Sequence, residues 1–192
     1  MKKLFRFDMK QTHFTLRVLA GLLTLFILQP PAQAQLQPGA DAPAFTAPAA
    51  LAGKTFTFTL TEALKKGPVV VYFYPKAFTS GCSIEANLFA QANDEFQALG
   101  ASVVGVSGDD IETLKKFSLG PCGGKFAVAA DLDRTTMKAY QATMFFSSEM
   151  ASRISYVVTP DRKIFFTHAS LSPDQHVSST LAAVKRWREQ AK

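Results

Sequence analysis

Cys82 is the side chain in this sequence best placed to do chemistry. It follows the apolar run Pro68-Val-Val-Val-Tyr-Phe-Tyr74, a proline at position 75 and a short loop, and falls in the first turn of a helix expected from about Ser80 to Leu99. A helix N-terminus presents unpaired backbone N–H groups and a partial positive charge, and both favour a thiolate over a thiol. The thiolate is the form that attacks. Thr79, three residues earlier, carries a hydroxyl that could hold bound oxygen atoms or cap the helix. Glu85, three residues later, lies one helical turn on along the same face. The plainer alternatives are a small buried apolar side chain at Cys82 and a surface carboxylate at Glu85. Spacing alone leaves them open.

Other chemistries find less support. Cys82 is followed by Ser83, Ile84 and Glu85, so the Cys-x-x-Cys pair of a disulfide exchanger is missing. Ala86 and Asn87 supply neither a second thiol nor a histidine for copper handling. Of the three histidines, His13 lies in the N-terminal segment, while His168 and His176 read as isolated residues. No metal, haem or other cofactor is expected.

The elements that must position Cys82 alternate along the chain. Residues 35–50 read as an extended leader, and Lys54 to Thr59 as a strand with one buried face. A short helical turn is expected at Glu62 to Lys66. The run before Pro75 reads as a strand buried on both faces. Within the Cys82 helix, Ile84, Leu88, Ala92 and Phe96 recur every four residues and predict its core-facing stripe. Further elements follow: a strand at 101–106, a helix from Asp109 to Phe117 opened by Asp109 and Asp110, a strand at 126–130 and a helix at 132–140. Two strands, 154–158 and 164–167, join through Pro160-Asp161-Arg162. A last helix spans 173–190, with Val177, Leu181, Val184 and Trp187 on its apolar face. The pattern predicts one α/β domain with a central mixed sheet flanked by helices.

The chain has 192 residues, 47% of them hydrophobic and 19% charged, in keeping with a globular domain. Its formal net charge of +6 is concentrated at the start, where residues 1–34 hold five basic residues and one acid. The remainder carries sixteen basic and fourteen acidic residues, a balance that gives no case for nucleic-acid binding. Residues 1–34 read as a secretory signal peptide: a basic start, an apolar run from Val18 to Leu28, and Ala32-Gln33-Ala34 as a cleavage site. That run is short against the ~20 residues of a membrane span. The expectation is an exported, periplasmic domain from residue 35 to 192, without a membrane segment after cleavage. Its two cysteines, Cys82 and Cys122, allow a single disulfide.

Pro75, Thr79, Cys82 and Glu85 together resemble the active-site motif of the peroxiredoxins, Pro-x-x-x-Thr-x-x-Cys with a following Glu. Val70 to Tyr74 resembles the strand that leads into that motif, and Arg153 to Val158 resembles the segment carrying the family's active-site arginine. The likeness runs from about Gly39 to the C-terminus and is greatest to the Q-type, or bacterioferritin comigratory, subfamily. It implies a thioredoxin-like fold and a thiol-dependent peroxidase acting on hydrogen peroxide and organic hydroperoxides. Cys82 would become a sulfenic acid, Pro75 would shield the thiolate, Thr79 would hold the peroxide oxygens, and Glu85 would orient Arg153. The arginine would supply positive charge to the thiolate and to the leaving oxygen.

One departure bears on the second half of the cycle. Many Q-type members carry a resolving cysteine five residues after the first, where this chain has Asn87. Cys122, in Gly120-Pro-Cys-Gly-Gly124, is the natural candidate for resolution, and its glycines would let the loop move. A free thiol or a structural disulfide is the alternative. The resemblance implies a thioredoxin-like or other thiol reductant as partner, and a monomer or homodimer. A non-catalytic redox sensor or a thiol–disulfide exchange protein is the competing function.

Overall fold

The computed structural model describes residues 35–191. The signal expected at 1–34 lies outside the described residues. Fourteen elements follow in order. Thr46–Leu51 (β1) and Lys54–Thr59 (β2) form a hairpin, and Leu60–Leu64 (α1) leads to Val69–Phe73 (β3). Ser80–Ala98 (α2), Ser102–Ser107 (β4), Ile111–Leu119 (α3) and Ala127–Ala130 (β5) build the centre. Thr135–Ala139 (α4), the short hairpin Thr143–Met144 (β6) and Ser147–Ala151 (β7), Ile154–Val158 (β8), Ile164–Ala169 (β9) and Pro173–Gln190 (α5) complete the chain.

Seven strands form one mixed sheet in the order β2-β1-β5-β4-β3-β8-β9. The central β3, β4 and β5 are parallel, and the outer strands pair antiparallel. Side chains alternate across a strand, so β3 feeds two cores. Val69, Val71 and Phe73 join one face with Tyr140 and Tyr156. Val70, Tyr72 and, just beyond the strand, Tyr74 join the other, together with Cys82, Phe89, Phe117 and Cys122. Helices α2 and α3 bring the two cysteines to that second face, and α5 packs on α2, β8 and β9 there. Gly105 on β4 makes room for the tyrosine tier, since a Cβ at that position would stand 2.7 Å from the Tyr72 ring.

Several expectations need correction. Residues 46–51 are not a leader but a strand between β2 and β5. In β2 only Phe58 reaches the core, because this is the sheet's edge and Phe56 stays exposed. The helical turn expected at 62–66 lies at Leu60–Leu64. The α2 stripe is rotated: Cys82, Glu85, Ala86, Phe89, Ala90, Asn93 and Phe96 are buried, while Ile84 is half exposed. In α5 the buried residues are His176, Thr180, Ala183 and Val184. The α3 helix starts at Ile111, where Asp110 caps it by accepting from Thr113 N at 2.8 Å. The helix expected from Leu132 is trimmed to Thr135–Ala139, because Asp131 captures the N–H groups of Thr136 and Met137 at 3.0 and 2.8 Å.

Candidate active site

Sheet register explains how distant residues meet. Strands β3 and β8 run antiparallel with Phe73 opposite Ile154. The loop leaving β3 therefore passes beside Arg153, the residue that enters β8. The loop itself is anchored by Asp109, whose Oδ2 accepts from Ala77 N at 2.7 Å and from Ser107 Oγ at 2.8 Å. Asp109 was expected to open a helix; it instead ties the loop to the end of β4. Phe78 holds a left-handed backbone conformation, φ 63°, and its exposed ring meets Phe117 edge-on. Such a conformation in a bulky residue is costly and persists only where neighbours hold it.

Cys82 is the third residue of α2 and is 2% exposed. Arg153 Nη2 points at its sulfur from 3.4 Å, and Arg153 Nη1 donates to Glu85 Oε2. The guanidinium thus spans the cysteine and the carboxyl. Burial opposes the arginine's charge, but Glu85 and Cys82 outweigh that and hold its proton more firmly than usual. Glu85 is fully buried, and burial pushes its carboxyl up to about 8 against the opposing pull of Arg153. Its other oxygen, Oε1, has no hydrogen-bond partner.

Thr79 occupies the cap position of α2, but its side chain makes no capping bond. Its hydroxyl donates to Lys76 O at 3.0 Å. A hydroxyl has one hydrogen to give, so the exposed Thr79 oxygen is left to accept. Pro75 is half-buried at the mouth of the same loop. Gly81 was missed in the sequence: a Cβ there would stand 3.1 Å from Arg153 Nη2, so the guanidinium needs this position bare. His168 and His176 are not isolated. His176 and His168 meet edge to face at 4.8 Å, and His176 Nδ1 lies 3.7 Å from Glu85 Oε1. Among the described residues, no group of three or more His, Cys, Asp or Glu side chains could hold a metal ion.

Cys122 is fully buried in a turn after α3, and burial pushes its thiol well above the usual range. The turn is tight, with Cys122 N bonded to Phe117 O at 3.2 Å and Gly124 N to Ser118 O at 2.8 Å. Both thiols are free. Both share their core with an aromatic tier: Tyr72 stacks on Phe89 at 4.5 Å, and Tyr74 on Phe117 at 5.5 Å. Burial, reinforced by both cysteines, holds the two tyrosine hydroxyls firmly protonated.

A mixed sheet with helices on both faces, and a cysteine at a helix start under an arginine, define a thioredoxin-like fold of the peroxiredoxin class. Residues 38–167 match the AhpC/TSA family, and the chain belongs to that family. Peroxiredoxin Q of rice (Oryza sativa subsp. japonica) is 30% identical over 122 residues, 61% of this chain and 54% of the relative. The chain thus spans about half the length of that chloroplastic relative. The crystal structure of peroxidoxin BcpB from Mycobacterium tuberculosis superposes with a TM-score of 0.71 at 27% identity, covering 79% of this chain and 97% of that one. The bacterioferritin comigratory protein of Xanthomonas campestris, studied for alkyl peroxide reduction, gives a TM-score of 0.64 at 26% identity, covering 73% and 91%.

Proposed function

We propose that this protein is an exported thiol peroxidase that reduces hydrogen peroxide and organic hydroperoxides through Cys82. The observation that carries it is the Arg153 guanidinium shared between Cys82 Sγ and Glu85. A fixed cation beside the sulfur favours the thiolate and also the negative charge that develops on the departing oxygen. Thr79, with only acceptor capacity left, would receive the O–H of the hydroperoxide and aim it. The thiolate attacks one oxygen, the O–O bond breaks, and the departing oxygen takes a proton to leave as water or an alcohol. Cys82 is oxidised to a sulfenic acid. Pro75, half-buried in the loop before Cys82, would limit water at the sulfur.

Cys122 would complete the oxidative half by attacking the sulfenic acid, expelling water and forming a Cys82–Cys122 disulfide. A thioredoxin-type dithiol would then reduce that bond. Cys122 sits buried in a hydrogen-bonded turn, so its attack would go through a local opening of that turn. The same observation favours a second reading, in which an outside thiol resolves Cys82 directly. Export to the periplasm rests on the basic and apolar pattern of residues 1–34. N-terminal sequencing of envelope material should begin at or near Gln35. The enzymatic claim is tested by sustained peroxide consumption by the purified protein with a thioredoxin-type reductant. Oxidation that stops after one equivalent whatever thiol is supplied would favour a sensor.

A further inference from the structure

The buried carboxyl of Glu85 is bonded on one side only. Arg153 takes Oε2, whereas Oε1 faces the interior without a hydrogen-bond partner. A half-satisfied buried carboxyl is costly unless something polar stands behind it. What stands there is His176, fully buried on α5, with Nδ1 at 3.7 Å. Both ring nitrogens are held: Nε2 lies 2.9 Å from Ser170 O, and Nδ1 lies 2.8 Å from Ser155 Oγ on β8. A carbonyl can only accept, so Nε2 carries the hydrogen, and Nδ1 in the neutral ring is the acceptor.

Resting on the peroxidase function set out above, we propose that His176 is a positioning residue of this site, a pinned polar wall behind Glu85 that fixes the carboxyl aiming Arg153 at Cys82. The chain of contact runs through three elements, from α5 through Glu85 on α2 to the arginine that enters β8. Other charged or titratable groups near the ring are Arg153, His168 on β9 and Asp174 on α5 itself. Burial pushes His176 down to about 4, and pushes Glu85 up to about 8. Over the interval between those values Glu85 keeps its proton and His176 stays neutral, so the pair carries no net charge. The positive charge of Arg153 is then left to the sulfur.

The test compares two substitutions with opposite expectations. His176→Leu nearly conserves volume but removes both nitrogens. His176→Asn leaves a cavity but returns a polar group near the place of Nδ1. If the residue only packs, leucine is the better replacement; if it positions Glu85, asparagine is. Two readouts apply to the full chain at fixed neutral pH: the ultraviolet absorbance of the thiolate, with Cys82→Ser as blank, and the rate constant for the first oxidation by hydrogen peroxide. His176→Leu should lower both on the order of tenfold, the scale of a misaimed catalytic group, and His176→Asn should recover most of the loss. Ser155→Ala, a smaller change on β8, should lower both in the same direction. Wild-type values in folded His176→Leu, a better result for leucine than asparagine, or no change in Ser155→Ala would overturn the proposal. Thiolate absorbance needs no turnover. A wild-type protein inert to peroxide whose absorbance still obeys this ranking would sink the peroxidase function and leave the positioning role standing.

Discussion

Cys82 Sγ and Arg153 Nη2, 71 residues apart in sequence, lie 3.4 Å from each other. The contact depends on the β3–β8 register, on the shared bond to Glu85 and on the bare backbone at Gly81. Each of these can be perturbed separately.

Arg153→Lys keeps the charge but not the fork that reaches sulfur and carboxyl together. The second-order rate constant with peroxide should fall on the order of a hundredfold, the scale of losing one donor to a developing oxyanion. Stopped-flow measurement of the first oxidation checks this, and an unchanged constant would remove the bidentate geometry from the mechanism.

Gly81→Ala separates stability from activity. Alanine is the better helix former by about 1 kcal/mol, so the thermal midpoint should hold or rise. Its methyl would press on Arg153 Nη2 at 3.1 Å and push the guanidinium aside. Peroxide reduction should slow several-fold in a protein at least as stable. Equal activity would show that the arginine has room to spare.

Stability should depend on pH through Glu85 and His176 with a definite sign. Glu85 rises from an ordinary 4.5 to about 8, and His176 falls from 6.5 to about 4. Between 4.5 and 6.5 the native state keeps a glutamate proton that the unfolded chain has lost, while the unfolded chain holds a histidine proton that the native state lacks. The two effects cancel there. From 6.5 to about 8 only Glu85 differs, and the native state binds the extra proton. Stability therefore falls as pH rises through that window, by about 2 kcal/mol from this group. Urea unfolding at both ends of the window should show the decline, and Glu85→Gln should flatten it.

Cys122→Ser should leave the first oxidation of Cys82 nearly unchanged and allow the sulfenic acid to accumulate, open to further oxidation. In the wild-type protein one equivalent of peroxide should give an intrachain disulfide, found by non-reducing peptide mapping. Cys122 still free after oxidation would assign resolution to an outside thiol.

The strand before Pro75, the Cys82 helix, the 154–158 strand and the terminal helix were legible because each is long or uniformly apolar. Their faces were less so. Stepping by four residues drifts about 40° around a helix each time, so the stripe that starts at exposed Ile84 reaches the buried face only at Phe96. The true face of α2 also buries Glu85 and Asn93, polar residues that a hydrophobic pattern passes over. His176 and Thr180 play the same part in α5. Strand β1, Thr-Ala-Pro-Ala-Ala-Leu, has weak strand propensity and exists because β2 and β5 pair with it. Spacing singled out Thr79, Cys82 and Glu85 as candidates, but it was the resemblance to a family motif that assigned them roles. The roles of Gly81, Asp109 and His176 depend on tertiary neighbours and have no local signature.

The most direct measurement mixes the fully reduced protein with one equivalent of hydrogen peroxide and follows residual peroxide and the mass of the Cys82 peptide with a sulfenic-acid trap. The wild-type protein should consume the peroxide far faster than free cysteine and carry the trapped oxygen on Cys82, while folded Cys82→Ser consumes none. Peroxide left intact by the wild-type protein, or removed as fast by Cys82→Ser, would contradict the assignment of this site.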